Sequence, residues 1–220
     1  MLRQNFYLEM IKKHLDNKNS SIMVFGAGEM DKNNFNKLNF ENVTFSNLNH
    51  SNNDFEILNL HDNKILDNTY DYCVAHACIH HSSQPHKAIL EMYRVSKKGI
   101  LIIEASDSFI TRLAGKLKLS EEYEFSATNK GSTGVDNTNI PNYVFRWTER
   151  EVYKVMESYE PHIIHDIQFN YASSIKLKGL KYYFIKFFLI PYFFLFEKEK
   201  NLMSFFIKKD QKRFKKWFKN

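Results

Sequence analysis

The sequence predicts an α/β protein with a parallel sheet covered on both faces. Three observations carry this expectation. Short apolar runs recur at 21–25, 43–46, 55–58, 70–75 and 100–104. Helical or loop stretches separate them, and polar residues or glycines follow them directly. Parallel strands read as near-continuous apolar runs because helices bury both faces. Ligands of such sheets sit at the carboxyl ends of the strands.

The elements follow in order. Phe6, Met10, Ile11 and Leu15 have helical spacing, so 3–16 reads as an amphipathic helix. The first strand ends in Gly26-Ala27-Gly28. The run 70–75 is apolar enough to be central. Pro85–Val95 is a helix with Ile89, Met92, Tyr93 and Val95 on its apolar face, and Gly99 reads as a stop before the fifth strand. The stretch 128–141, rich in Asn, Gly, Ser and Thr, reads as a loop or lid. Thr148 and Glu151 form a capping box that opens a helix to about Ser158. A sixth strand is expected at 162–169 and a seventh at 202–208, with an aromatic segment, 174–200, between them.

Charge is concentrated at one end. Residues 207–220 carry seven basic side chains against Asp210, which accounts for the whole net charge of +6. The body therefore offers no basic footprint for nucleic acid, and binding by the tail alone would be nonspecific. Cys73 and Cys78 fit neither a disulfide framework nor a zinc motif and read as reduced structural cysteines. The N-terminus has no long apolar stretch of the kind a signal peptide needs. The most apolar run, 182–196, carries Lys186 and Pro191 and is too short to span a bilayer as a helix.

Gly26-x-Gly28 after a strand makes a tight turn open to close approach by a ligand, although a plain strand-to-helix turn uses glycine for the same reason. The third glycine of a dinucleotide fingerprint is replaced by Asp31, and the downstream acid by Asn47 and Asn49. More specific is the run 59–104. It holds a turn, Asp67-Asn68-Thr69-Tyr70-Asp71, then an apolar strand and Ile79-His80-His81. A helix ending Tyr93-Arg94-Val95, then Lys97-Lys98-Gly99 and the fifth strand follow. In order and spacing this closely resembles class I S-adenosylmethionine-dependent methyltransferases, of the small-molecule, type 11-like group found in bacterial surface-polysaccharide pathways. The likeness spans roughly residues 20–170, and Asn142–Thr148 also resembles a segment of that group.

The resemblance implies a doubly wound, mostly parallel, seven-stranded Rossmann-like sheet. It implies a methyltransferase domain at 1–208, with a lid at about 105–146 and an aromatic helical insertion at about 174–200, followed by a basic tail at 209–220. It implies S-adenosylmethionine as cofactor. Gly26, Ala27 and Gly28 would hold its methionine part. Asn49 falls at the position of the ribose-binding acid and Asn59 at that of the adenine-facing acid, with Leu60 and His61 beside the ring and His76 near the methyl donor. An amide oxygen can accept the same hydrogen bonds as a carboxylate, without its charge.

Methyl transfer needs donor and acceptor aligned, and a hydroxyl acceptor must lose a proton. His81 and His80 are the candidates for that role; capping of the next helix or packing under the lid is the alternative for each. His76, His80, His81 and His86 lack a completing carboxylate or cysteine pattern, so no metal is expected. Glu104, Asp107, Arg146 and Trp147 are secondary candidates for acceptor contact. The expected reaction is methylation of a small molecule, a sugar or polysaccharide-precursor hydroxyl, in a cytoplasmic enzyme. Basic and aromatic residues in 180–196 suit peripheral contact with an anionic membrane surface, and hence a lipid-linked sugar; burial of those aromatics on the sheet is the competing reading. Two rival functions stand beside methyl transfer: a non-catalytic scaffold of the same fold at a membrane, and an NAD-type oxidoreductase.

Overall fold

The computed structural model describes residues 3–15, 17–48, 54–128, 133–174 and 180–218. Its strands are β1 (Ile22–Phe25), β2 (Val43–Asn47), β3 (Glu56–Ile57), β4 (Tyr70–His76), β5 (Ser96–Ala105), β6 (Ile163–Ala172) and β7 (Leu202–Phe214). Its α-helices are α1 (Arg3–His14), α2 (Glu29–Lys37), α3 (Pro85–Val95), α4 (Phe109–Lys116), α5 (Phe125–Thr128), α6 (Glu149–Tyr159) and α7 (Leu180–Leu195). The strands form one sheet in the order β3-β2-β1-β4-β5-β7-β6. β1 to β5 run parallel, and β7 lies antiparallel to both β5 and β6.

Alternation along the central strands builds two cores. On one face Met23, Phe25, Cys73, Ala75, Ile100 and Ile102 pack against Ile89 and Met92 of α3 and Val152 and Met156 of α6. On the other, Ile22, Val24, Val74, Leu101 and Ile103 meet Phe6, Tyr7 and Ile11 of α1 and Phe35 of α2. Covered on both faces, these strands must be apolar throughout, which is why they stand out in the sequence. The chain leaves β1 toward β2 and β3 and returns to the other side at β4. The strand order thus reverses between β1 and β4, and a crevice opens there at their carboxyl ends.

Several boundaries differ from the sequence reading. Gly99 is no stop: α3 ends at Val95, β5 begins at Ser96, and Gly99 lies inside the strand. A Cβ at Gly99 would sit 2.6 Å from the Ile207 carbonyl oxygen, so the absent side chain lets β7 approach. β7 runs past Lys208 to Phe214, where it pairs with Ile163 of β6. Part of the expected tail is therefore sheet. Within it, Lys209 Nζ donates to the carbonyl oxygens of Tyr93 (2.6 Å), Ser96 (2.7 Å) and Arg94 (3.2 Å) and to Asn68 Oδ1 (2.9 Å). It closes the C-terminal end of α3, where unsatisfied carbonyls and the helix dipole favour a cation.

The aromatic insertion forms α7, with Pro191 inside it. Phe193 is buried, but Phe187, Phe188 and Phe194 are exposed, so the helix does not bury its aromatics on the sheet as a set. Among the described residues no helix is long and apolar enough to cross a membrane.

Replacing Lys209 with methionine keeps the aliphatic stem but leaves these carbonyls without their charged donor. Urea denaturation is expected to show a loss of about 1–3 kcal/mol with unchanged far-UV circular dichroism; an unchanged midpoint would show that the lysine is merely solvated.

Candidate functional site

The crevice between β1 and β4 is built from two turns. Gly26 leaves β1 with φ +60°, a backbone region in which a Cβ is strained. Ala77 leaves β4 with φ 50°, held by its N–H donating to the Ile103 carbonyl (2.9 Å). This left-handed alanine turns the chain so that Cys78 returns over Gly26, and the Cys78 thiol donates to the Phe25 carbonyl (3.3 Å). A Cβ added at Gly26 would lie 2.5 Å from Cys78 Cβ and 2.7 Å from its Sγ. Burial raises the thiol's pKa well above its ordinary value and keeps it neutral. Both cysteines are free.

A cavity of about 220 Å³ opens beside this contact. Five of the sequence-derived site residues line it: Gly26, Asn59, Leu60, His61 and His81. Asn47, Leu48, Leu58, Ser82 and residues of the 133–137 loop also contribute to its wall. The Asn59 side-chain oxygen accepts the His61 N–H (3.0 Å), and His61 Nδ1 lies 2.7 Å from the Ser82 hydroxyl. Asn47, at the end of β2, donates to the Ala27 carbonyl (2.7 Å).

The remaining expected cofactor residues are placed differently. Asn49 lies outside the described residues. Ala27 is fully buried and its N–H donates to the Ser46 carbonyl (2.8 Å). Gly28 is the N-cap of α2 with ordinary extended backbone, and its N–H donates to Asp31 Oδ2 (2.8 Å). The amides of Ala27 and Gly28 are thus already engaged inside the protein. A Cβ at Gly28 would meet nothing closer than 3.8 Å. Asp31, which stands where a third glycine would be, serves as a cap. His76 does not line the cavity; it is buried and stacks on Tyr7 at 4.4 Å. Burial, chiefly, lowers its pKa to about 4, so it packs as a neutral ring.

His80 and His81 lie on a short 3-10 turn, Ile79–His81, after β4. His80 is buried, with Nδ1 2.8 Å from Oε2 of Glu104, itself fully buried at the end of β5. Glu104 also accepts the Ile79 N–H (2.8 Å). Burial works against charge on His80, but Glu104 and Glu124 overcome it and lift its pKa to about 10. His80 therefore holds a proton at neutral pH. His81 is half-buried; burial and then the charge on His80 lower its pKa, leaving it neutral. The Asn142 side-chain amide lies 2.7 Å from His81 Nδ1, while His81 Nε2 is 3.5 Å from Glu124 Oε2. Glu124 and Asn142 were not singled out for this role in the sequence, because nothing local marks them: they reach the histidines only when the segment between β5 and α6 folds back.

A second cavity, of about 510 Å³, lies where β5 ends and β7 begins. Ile110, Leu113, Val144 and Leu189 contribute apolar walls, and Arg3 and Arg146 are its basic residues. Trp147 packs in the core beneath the segment and does not face this cavity.

Residues 11–103 match the family model of a methyltransferase domain. The matched span runs from within α1 to within β5 and includes the strand-end residues of the β1–β4 crevice, but not the 133–137 loop that closes one side of it. The methyltransferase-domain match indicates S-adenosylmethionine binding and supports a methyltransferase. No curated protein matches the chain significantly. Among solved structures, the fold is similar to that of the plantazolicin methyltransferase BpumL in complex with SAH, at 12% identity and TM-score 0.55, covering 95% of this chain and 82% of that one. It is similar to YcgJ from Bacillus subtilis at 12% identity and TM-score 0.51, covering 94% and 99%. It is also similar to the [4+2]-cyclase SpnF at 10% identity and TM-score 0.57, covering 94% and 80%. At these identities the likenesses establish the fold, and SpnF illustrates that one fold serves more than one chemistry.

The two glycines of the turn are expected to behave differently. Gly26→Ala combines a left-handed backbone with an overlap against Cys78, and should cost about 2 kcal/mol or more of unfolding free energy. Gly28→Ala should cost less than about 1 kcal/mol. Chemical denaturation of both variants checks this, and equal losses would contradict the geometry.

Proposed function

We propose that the protein is an S-adenosylmethionine-dependent methyltransferase acting on a hydroxyl of a small molecule, a lipid-linked sugar or polysaccharide precursor. The observation that carries this reading is the crevice at the β1–β4 reversal. Its floor is a glycine that cannot bear a side chain, and its walls mix amides (Asn47, Asn59) with apolar residues (Leu48, Leu58, Leu60). A nucleoside presents the same mixture: hydroxyls and an amino group on a flat apolar ring. In this reading Asn47 and Asn59 face the ribose and adenine, Leu60 packs on the ring, and the methionine part lies along the Gly26 backbone at the cavity wall. The bound donor supplies an activated methyl group and its own leaving group. The chain's residues align the acceptor and exclude water.

The acceptor class rests on the second cavity and on α7. Apolar walls beside Arg3 and Arg146 suit a molecule with a lipid portion and an anionic linkage. The exposed Phe187, Phe188 and Phe194 suit contact with the cytoplasmic membrane surface where such a molecule resides. The segment 105–146 acts as a lid: it lines both cavities, through Thr133 and Asp136 in one and Leu113 and Val144 in the other. His81 borders the first cavity, Ala105 borders the second, and the His80–Glu104 pair joins their strands. An acceptor hydroxyl bridging the cavities would meet His81, the neutral member of the His80–His81–Glu124 group, which receives its proton.

Calorimetric titration with S-adenosylmethionine, S-adenosylhomocysteine and NAD tests the reading. Binding of the two sulfur nucleosides with no response to NAD is expected, together with methyl incorporation into lipid-linked glycans. NAD binding alone would favour an oxidoreductase; donor binding without turnover on any hydroxylated acceptor would favour the scaffold.

A further inference from the structure

His80, His81 and Glu124 converge on one point. His80 Nε2 lies 3.6 Å from Glu124 Oε1 and His81 Nε2 lies 3.5 Å from Glu124 Oε2. One ligand atom from each residue falls within 4.8 Å of the other two. His80 is 7% exposed, and its Nε2 is buried with no hydrogen-bond partner among the described residues. This buried ring nitrogen faces a carboxylate beyond hydrogen-bond reach, and a small divalent cation would take the gap by displacing the Nε2 proton.

The surroundings of the two rings have the form that metal sites require. A metal-binding imidazole usually gives its other N–H to a carboxylate or carbonyl, which fixes ring and tautomer. Glu104 stands at that position for His80, 2.8 Å from Nδ1. Asn142 stands there for His81, 2.7 Å from Nδ1, and the buried Asn142 Oδ1 otherwise has no hydrogen-bond partner among the described residues. Turning the amide over makes that oxygen the acceptor of the Nδ1 proton, at the loss of the longer Nδ2 contacts to Glu124 Oε2 and the Thr133 carbonyl, 3.4 Å each. The Nε2 lone pair of His81 then faces Glu124.

We propose that His80 Nε2, His81 Nε2 and a Glu124 carboxylate oxygen form a three-ligand site for a divalent cation of the zinc class. Two imidazoles and one carboxylate suit zinc with a coordination position left for water or a substrate oxygen. The absence of thiolate from the set disfavours copper(I), and the two nitrogens disfavour magnesium and calcium. Donor atoms around zinc stand about 3.3 Å apart; with one ligand atom from each residue, the three here lie within 4.8 Å of one another, so the side chains would draw together on binding. Two carboxylates, Glu104 and Glu124, balance the dication. Because His81 also borders the first cavity, the open position adjoins it. Glu124 belongs to the segment between α4 and α6 and the histidines to the end of β4, so the ion would pin that segment to the sheet. The residues lie too far apart in sequence for spacing to reveal the set, which is why the histidines alone gave no metal expectation.

Chelator-stripped full-length protein titrated with cobalt(II) tests the site. One equivalent is expected to bind, with visible absorption bands of a four- or five-coordinate ion. His81→Ala and Glu124→Gln should each weaken cobalt affinity at least about tenfold, and saturating zinc should raise the thermal midpoint of the wild type but not of the variants. Failure of the wild type to bind one equivalent, or binding that survives both substitutions, overturns the proposal. Circular dichroism of both variants separates loss of ligand from loss of fold. Calorimetry with S-adenosylmethionine on the stripped protein keeps the two readings apart: intact donor binding with no cobalt site refutes the metal alone, and the reverse refutes the methyl-donor reading alone.

Discussion

Everything at the candidate site depends on the approach of Cys78 to Gly26. Two strands that are neighbours in the sheet but distant in sequence both end at this point. Each must turn away sharply without filling the space in front of it. β1 does so with a glycine at positive φ, and β4 does so with Ala77 at positive φ, which brings Cys78 down onto the glycine. One missing methyl group on one strand is occupied by a thiol from the other. The contact fixes how far apart the two turns stand, and so how wide the crevice beside them is. The buried Asp31 cap secures the start of α2 behind it, and Asn47 ties the end of β2 to the same turn.

The polar groups around the crevice are set by burial. His76 lies behind it as a neutral ring stacked on Tyr7, while His80, four residues on, is held as a cation between Glu104 and Glu124. The difference comes from the partners: the buried carboxylate of Glu104 lies against the His80 ring nitrogen, whereas Asp31 stands 4.0 Å from His76. A buried carboxylate such as Glu104 persists only when paired and hydrogen-bonded, and the His80 ring and the Ile79 N–H supply both requirements. The segment from β5 to α6 then adds Glu124 and Asn142 above the histidines and Asp136 above His61. This segment contributes lining residues to both cavities.

Much of this was legible in the sequence, and the division follows range of interaction. Strands β1, β4 and β5 read directly because double-sided burial forces unbroken apolar runs, and α3 and α6 read from periodicity and the Thr148–Glu151 cap. The glycine turn was visible, but the relative importance of its two glycines was not. Whether a Cβ fits at Gly26 depends on Cys78, while a Cβ at Gly28 would make only an ordinary contact, 3.8 Å from Asp31 Oδ2. His80 and His81 stood out by their position after β4, but Glu104 read as a secondary candidate for acceptor contact rather than as the partner of His80, and Glu124 carried no signal. Lys209 looked like one more charge of a solvated tail; only the pairing of β7 with β6 places it at the end of α3. Gly99 looked like a terminator because a glycine between lysines and an apolar run usually is one, whereas here it yields space to the β7 backbone.

The account stands or falls on what occupies the β1–β4 crevice. A crystal structure of the protein with S-adenosylhomocysteine is the most direct measurement. The account predicts nucleoside density between Gly26, Asn47, Asn59 and Leu60, with the sulfur directed toward the end of β4. Density confined to another surface, or a crevice that stays empty at saturating ligand, would contradict it.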